Sequence, residues 1–200
     1  MIKGNFKTFL TVFGNHNESD NDRYMLTQGG PPDYALINWL WEKSRPLQSI
    51  KLATGVNVRI MAASFLPSDP SVVVVIGSNL IRILRCEGNE FRPIPLALKA
   101  KKESMEFQCM AWDGDRCLIG ADNGEIFVLE TFEHRRTYCT PKEANAIYSI
   151  AVYSKGFVCG CDDGLVHIFE RVDDKSSHTD TLNNVDIKTE GEKVLTISIY

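Results

Sequence analysis

The residues of this chain that could carry out chemistry are acidic side chains grouped at short turns. Paired carboxylates can act as general acid and base, or as nucleophile, as they do in glycoside hydrolysis. Here they lie beside Gly or Asn between apolar segments, and Asp and Asn favour turns because they bond to nearby backbone. We therefore interpret them as turn residues that could form a partner-binding rim: Asp33, Asp122, Asn123, Asp162 and Asp163.

The other groups that could act in catalysis or peptide recognition are scattered along the chain. His16, His134 and His178 lie in polar segments, and His167 lies within an apolar one, so no Ser–His–Asp set is suggested. A reader of modified peptides needs an aromatic cage or an arginine cluster. Arg135-Arg136 is a candidate for that role, and we expect it in a polar loop between strands. The sequence predicts no enzyme.

The six cysteines raise the question of a metal site. Cys159 and Cys161 stand one residue apart with His167 close by, which resembles part of a zinc site. A structural zinc site usually has a second ligand pair at characteristic spacing, and the sequence contains none. We expect all six thiols to be small buried side chains, and we predict no metal and no cofactor.

Composition and charge exclude several partner classes. The net charge is −4 and the isoelectric point is about 5.6, whereas nucleic-acid binding requires a clustered basic surface. No run of 18 apolar residues occurs, and the first residues are too polar for a signal peptide. We therefore expect an intracellular protein with no membrane, nucleic-acid or small-molecule partner.

The strongest pattern is a repeat. Four apolar segments read as third strands of equivalent units, and they align on Trp41, Leu84, Leu129 and Phe169. The spacings are 43, 45 and 40 residues, and each unit contains several short strands. A period of about 40–45 residues with four strands per unit is typical of a β-propeller blade.

We predict an all-β fragment of a WD40-type propeller, spanning residues 1–200. The predicted blades are residues 6–52, 59–98, 106–140 and 146–188, and residues 194–200 would begin a fifth. Asn-Gly and Asp-Gly at residues 123–124 and 163–164 predict type I′ hairpin turns. Aromatic residues mark what we interpret as one equivalent position in each inner strand: Phe13, Phe65, Trp112, Tyr153 and Tyr200.

The motifs resemble degenerate WD repeats. Third strands end in Trp41-Glu42, Leu129-Glu130 and Phe169-Glu170, where the repeat usually has Trp-Asp, although no Gly-His pair occurs. The segments 31–43, 111–130 and 151–157 resemble, in order, the ciliary WD-repeat family of cilia- and flagella-associated protein 57. That family has two tandem propellers and a coiled coil, whereas this chain has no heptad run, so the resemblance implies a partial chain.

The resemblance also implies a function. It implies a non-enzymatic scaffold of the motile cilium or flagellum, located in the axoneme and the cytoskeleton. Its partners would be axonemal proteins, and the implied role is the assembly or docking of inner dynein arms. The alternative is a WD-repeat scaffold of another intracellular complex.

Overall fold

A computed structural model describes residues 9–12, 23–30, 34–52, 58–96, 104–140, 146–162, 164–171 and 192–198. These residues are nearly all in strands, and they include no α-helix. The strands form four antiparallel sheets of four strands each, called sheets 1 to 4 in chain order. The all-β class predicted from the repeat is confirmed.

The strand bounds are as follows. Sheet 1 consists of β1 (Phe9–Val12), β2 (Tyr24–Gln28), β3 (Ala35–Leu40) and β4 (Arg45–Lys51). Sheet 2 consists of β5 (Ile60–Leu66), β6 (Asp69–Gly77), β7 (Leu80–Glu87) and β8 (Glu90–Ile94). Sheet 3 consists of β9 (Phe107–Asp113), β10 (Arg116–Ala121), β11 (Glu125–Glu130) and β12 (Glu133–Cys139). Sheet 4 consists of β13 (Ile147–Tyr153), β14 (Gly156–Cys161), β15 (Leu165–Arg171) and β16 (Glu192–Ser198).

Each sheet is a meander in which strands that follow one another along the chain are also neighbours in space. The central hairpins of sheets 3 and 4 have the same register at an offset of 40 residues. Leu118 pairs with Val128 in sheet 3, and Val158 pairs with Ile168 in sheet 4. The 40-residue spacing read from the sequence is therefore a repeat of backbone pairing as well as of residue type.

The prediction that residues 194–200 begin a fifth blade is wrong. In the structure Glu192–Ser198 pairs antiparallel with β15, with Ile168 opposite Leu195, and is the fourth strand of sheet 4. Strict alternation of apolar and polar residues predicts a strand but does not identify the neighbour with which it pairs. The segment that we expected to contain the outer strand of the fourth blade, around residues 185–187, lies outside the described residues.

Two further expectations about strand positions are corrected. The third strand of the first unit ends at Leu40, and Trp41–Lys43 form a 3-10 turn followed by Ser44 in the left-handed region. Tyr153 is not equivalent to Phe65. In sheet 2, Phe65 lies opposite Val73 of the second strand. The residue at the corresponding position of sheet 4, opposite Phe157, is Val152. Phe13 and Tyr200 lie outside the described residues.

The chain divides into two compact units. One unit contains residues 1–107 with 131–133, and the other contains residues 108–130 with 134–200. In the first unit Leu26 and Leu36 of sheet 1 pack into one core with Phe65, Val73 and Leu84 of sheet 2. This core is formed by one face of each sheet.

The core of the second unit is aromatic. Leu118 and Val128 of sheet 3 belong to the same buried cluster as Phe157 and Phe169 of sheet 4. The rings of Phe157 and Phe169 are stacked with centroids 4.6 Å apart, and Tyr138 lies 5.7 Å and 5.9 Å from them. Stacked and tilted aromatic pairs stabilise a core by about 0.5–1.5 kcal/mol beyond their buried area.

Candidate functional site

The best-defined part of the predicted rim is the turn between β10 and β11. It contains Asp122, which is half-buried, and Asn123, which is exposed. The side chain of Asn123 accepts a hydrogen bond from the Glu125 backbone N–H at 3.1 Å and donates one to the Glu125 carboxylate at 2.9 Å. The side chain of Asn123 therefore stabilises the turn itself.

The geometry of this turn differs from the type I′ prediction. Type I′ requires positive φ at both central residues, but only Gly124 has it here, at 79°. Three residues connect β10 to β11, as in the common hairpin in which a type I turn is followed by one left-handed residue. Glycine is favoured at that last place because it has no Cβ to clash with the backbone.

The equivalent turn of sheet 4 contains Asp162, which is exposed, and Gly164, whose φ is 71°. The Asp162 backbone N–H donates to the Ala146 carbonyl at 3.1 Å, so the turn is attached to the start of the inner strand. Asp33 and Asp163, the other two predicted rim residues, lie outside the described residues. Asp122 and Asn123 thus share one turn, and Asp162 lies in the equivalent turn one repeat later.

The arginine pair and one histidine lie on a strand and not in a polar loop as predicted. His134, Arg135 and Arg136 belong to β12, the outer strand of sheet 3. Arg136 donates to the Tyr138 hydroxyl at 3.1 Å, and its guanidinium lies 5.8 Å from the centre of that ring. Polar composition suggested a loop, but outer strands carry charged residues because they face solvent.

A small cavity lies in the second unit. Its volume is about 10 Å³, which is the space of a single water molecule. Asp113 and Arg116, which form an ion pair, line it together with Tyr138 and Phe157. Charged and aromatic groups therefore meet at this cavity, but the space admits nothing larger than a solvent molecule.

The cysteines near His167 lie within the core of the second unit. Cys159 is directly opposite His167 across β14 and β15, and both side chains are buried. The Cys161 thiol and burial raise the pKa of the Cys159 thiol well above its ordinary value. Burial raises the pKa of the Cys109 thiol to about 11. These thiols are therefore protonated and uncharged at neutral pH, as suits side chains within an apolar core.

Two features of the described residues bear on metal and membrane roles. No group of three or more His, Cys, Asp or Glu side chains in this part of the chain is arranged to hold a metal ion. In the same residues, no helix has both the length and the apolar character required to cross a membrane. The expectation that all cysteines are buried is wrong for Cys139, which is exposed on β12.

The chain is similar in sequence to one curated relative, which confirms the resemblance found in its motifs. It is 27% identical to cilia- and flagella-associated protein 57 from Mus musculus, over 90% of this chain. The chain spans 18% of the length of that relative. No protein-family model matches the chain.

Solved structures of propeller domains share the fold. The β-propeller domain of Cps50 (Swd1) from Myceliophteria thermophila matches 79% of this chain and 53% of its own, with a TM-score of 0.57 and 11% identity. Raptor from Chaetomium thermophilum matches 74% of this chain and 14% of its own, with a TM-score of 0.57 and 16% identity. The chain therefore has the fold of β-propeller WD40 domains, and in sequence it is similar to a cilia- and flagella-associated protein.

Proposed function

We propose that this protein is a non-enzymatic WD-repeat scaffold of motile cilia and flagella. The observation that carries the proposal is the 27% identity over 90% of the chain to a cilia- and flagella-associated protein. The four-stranded sheets support it, since propeller blades present loops and edges on which other proteins dock. We place the protein in the axoneme, as part of the cytoskeleton.

Within the axoneme, the proposed role is to support the assembly or docking of inner dynein arms. This role is implied by the family resemblance and would require partners among axonemal proteins. A direct test is proximity labelling from the tagged chain in motile cilia. Enrichment of inner dynein arm subunits over outer arm subunits is the expected result, and equal labelling of both would contradict the role.

The proposed docking surface is the rim of turns that contains Asp33, Asp122, Asn123, Asp162 and Asp163. Asp162 and Asn123 are exposed, and Asp122 is half-buried, so each side chain is accessible to a partner. Charges on such a rim select among partners through complementarity and influence the association rate more than the raw affinity. An acidic rim favours a partner with a basic docking surface.

The test is ciliary incorporation of a tagged chain carrying Asp122→Lys and Asp162→Lys. Fractionation of cilia should recover less of this variant than of wild type, while the circular dichroism spectrum stays unchanged. Surface turn substitutions of this kind usually change stability by about 0.5 kcal/mol or less.

A matched control places two lysines at the opposite end of the same sheets, in the β9–β10 and β13–β14 turns. Asp115 and Ser154 are exposed turn residues there, and Asp115→Lys with Ser154→Lys should leave incorporation unchanged. Equal incorporation of the rim variant and wild type would exclude this rim as the docking surface. Wild type found wholly outside cilia would favour the alternative, a scaffold of another intracellular complex.

A further inference from the structure

The sheets differ in whether one or both of their faces are buried. In sheet 2 the five residues Val72–Ile76 are all buried, so both faces of β6 are covered. In sheet 4 burial alternates, with Phe157 and Cys159 buried while Val158 is half-buried. One face of sheet 4 is therefore apolar yet only partly covered.

The open face of sheet 4 is made of Val158, Val166 and Ile168, all half-buried. Val158 pairs with Ile168 across β14 and β15, and Val166 lies two residues before Ile168 on β15, so the three side chains share one face. We call it the forward face of sheet 4. Its equivalents 40 residues earlier are Leu118, Ile126 and Val128, which are buried.

The forward faces of sheets 3 and 1 show which kind of surface packs against such a face. In sheet 3, Leu118, Ile126 and Val128 share one core with Phe157, Cys159 and Phe169 of sheet 4. In sheet 1, Leu26 and Leu36 likewise share a core with Phe65, Val73 and Leu84 of sheet 2. A forward face therefore packs against the rear face of another sheet, which presents large apolar side chains.

Sheet 1 has a rear face of this kind that is only partly covered. Met25–Trp39 in sheet 1 and Phe157–Phe169 in sheet 4 are the same number of residue pairs away from their hairpin turns, so the two pairs are equivalent. Met25, Ile37 and Trp39 are half-buried, whereas their neighbours Leu26 and Leu36 on the other face are buried. The Trp39 indole N–H donates to the Thr27 hydroxyl at 2.7 Å, which satisfies its polar atom and orients the ring.

We propose that the forward face of sheet 4 in one molecule binds the rear face of sheet 1 in a second copy of the same chain. The interface repeats the sheet-on-sheet packing within each unit, with Val158, Val166 and Ile168 opposite Met25, Ile37 and Trp39. It is heterologous, since each copy contributes a different face, and such interfaces join copies head to tail. This self-association is independent of the ciliary role.

The test measures the mass of the purified full chain by analytical ultracentrifugation over a range of concentrations. Wild type should associate, and Ile168→Lys or Ile37→Lys should each raise the dissociation constant about tenfold or more by placing a charge in an apolar interface. Mixing the two variants should restore a 1:1 complex, because each retains the intact face that the other lacks. That restoration distinguishes a head-to-tail interface from one that uses the same face twice.

Glu90→Lys, at an exposed position of β8 in sheet 2, is the control and should associate like wild type. Circular dichroism and thermal melting establish that each variant is folded. If a lysine variant does not fold, Thr at the same position keeps the β-branched shape, and it should also raise the dissociation constant. A wild type that is monomeric at all concentrations, or association that neither substitution weakens, would overturn the proposal. Ciliary incorporation does not enter this result, so the two proposals can fail separately.

Discussion

At the scale of single residues, burial decides which thiols can react. Cys117, Cys159 and Cys161 are buried, and burial raises the pKa of the half-buried Cys86 and Cys109 thiols to about 11. Reaction requires the thiolate and access to it, and Cys139 is the exposed one of the six. We expect a maleimide to modify one site rapidly in the native protein, as read by intact mass. Cys139→Ser should remove this rapid adduct, and a rapid adduct that persists in that variant would contradict the assignment.

Asp69 gives a second residue-scale prediction, because its carboxylate holds the start of β6. Partial burial alone would raise the pKa of Asp69, but hydrogen bonds from Ser71 and the nearby Arg85 together lower it below 3.8. The Ser71 hydroxyl donates to the carboxylate at 2.6 Å, and Arg85 lies 3.4 Å away. A lowered folded-state pKa stabilises the protein fully above the unfolded value, and this stabilisation is lost as pH falls through the folded value.

The measurement is urea unfolding of wild type and Asp69→Asn at several pH values. The difference in unfolding free energy should be constant near neutral pH and should shrink once pH falls below 3.8, the ordinary value of the group. Asn cannot ionise, so the variant lacks the pH-dependent stabilisation that the Asp69 carboxylate gives. Ser71→Ala removes one hydrogen-bond donor to the carboxylate. Over this pH range it should therefore lose less unfolding free energy than wild type loses. A difference independent of pH throughout this range would contradict the role given to the carboxylate.

At the scale of elements, close packing of sheet 3 on sheet 4 depends on a residue without a side chain. A methyl group at Gly120 of β10 would lie 2.7 Å from Ile147 Cγ2 and 2.8 Å from Cys109 Sγ. Overpacking of this kind usually costs about 1–3 kcal/mol. We expect Gly120→Ala to lower the unfolding free energy by about that amount, as measured by urea denaturation.

The matched control is Gly29→Ala, where a new Cβ would meet its nearest neighbours at 3.5 Å, an ordinary contact distance. It should change stability much less than Gly120→Ala. In the double variant Gly120→Ala with Ile147→Ala, the two losses should be less than additive, because the second substitution removes the Cγ2 methyl group that the new Cβ would meet. Equal stability of Gly120→Ala and wild type would mean that the two sheets separate to admit the methyl group.

At the scale of the whole molecule, the burial pattern predicts where the backbone opens. Repeat proteins draw stability from interfaces between neighbouring units, so a sheet with both faces covered should open least often. Val72–Ile76 of β6 are buried throughout, whereas β2 and β3 of sheet 1 alternate between buried and half-buried residues. Amide hydrogen exchange read by mass spectrometry should therefore be slower in peptides from β6 than in peptides from β2 and β3. Faster exchange in β6 would contradict this order.

The sequence by itself determined the all-β class, the period and the positions of the hairpins in sheets 3 and 4, including the turns at Asp122 and Asp162. These follow from local rules, because a strand needs alternating or continuous apolar residues and a tight turn needs Gly, Asn or Asp. The turn positions of Asp122, Asn123 and Asp162 were predictable for the same reason, since their residue types are a consequence of turn geometry.

Only the tertiary structure decided the rest. It showed that Glu192–Ser198 pairs with β15, that Arg135 and Arg136 lie on a strand, and that Cys139 is exposed. The partner of an outer strand is chosen by contacts distant in sequence, and the alternation within a segment is the same whichever strand it pairs with. In the same way, Val158 and Leu118 look alike in sequence, but only packing leaves one half-buried and the other buried.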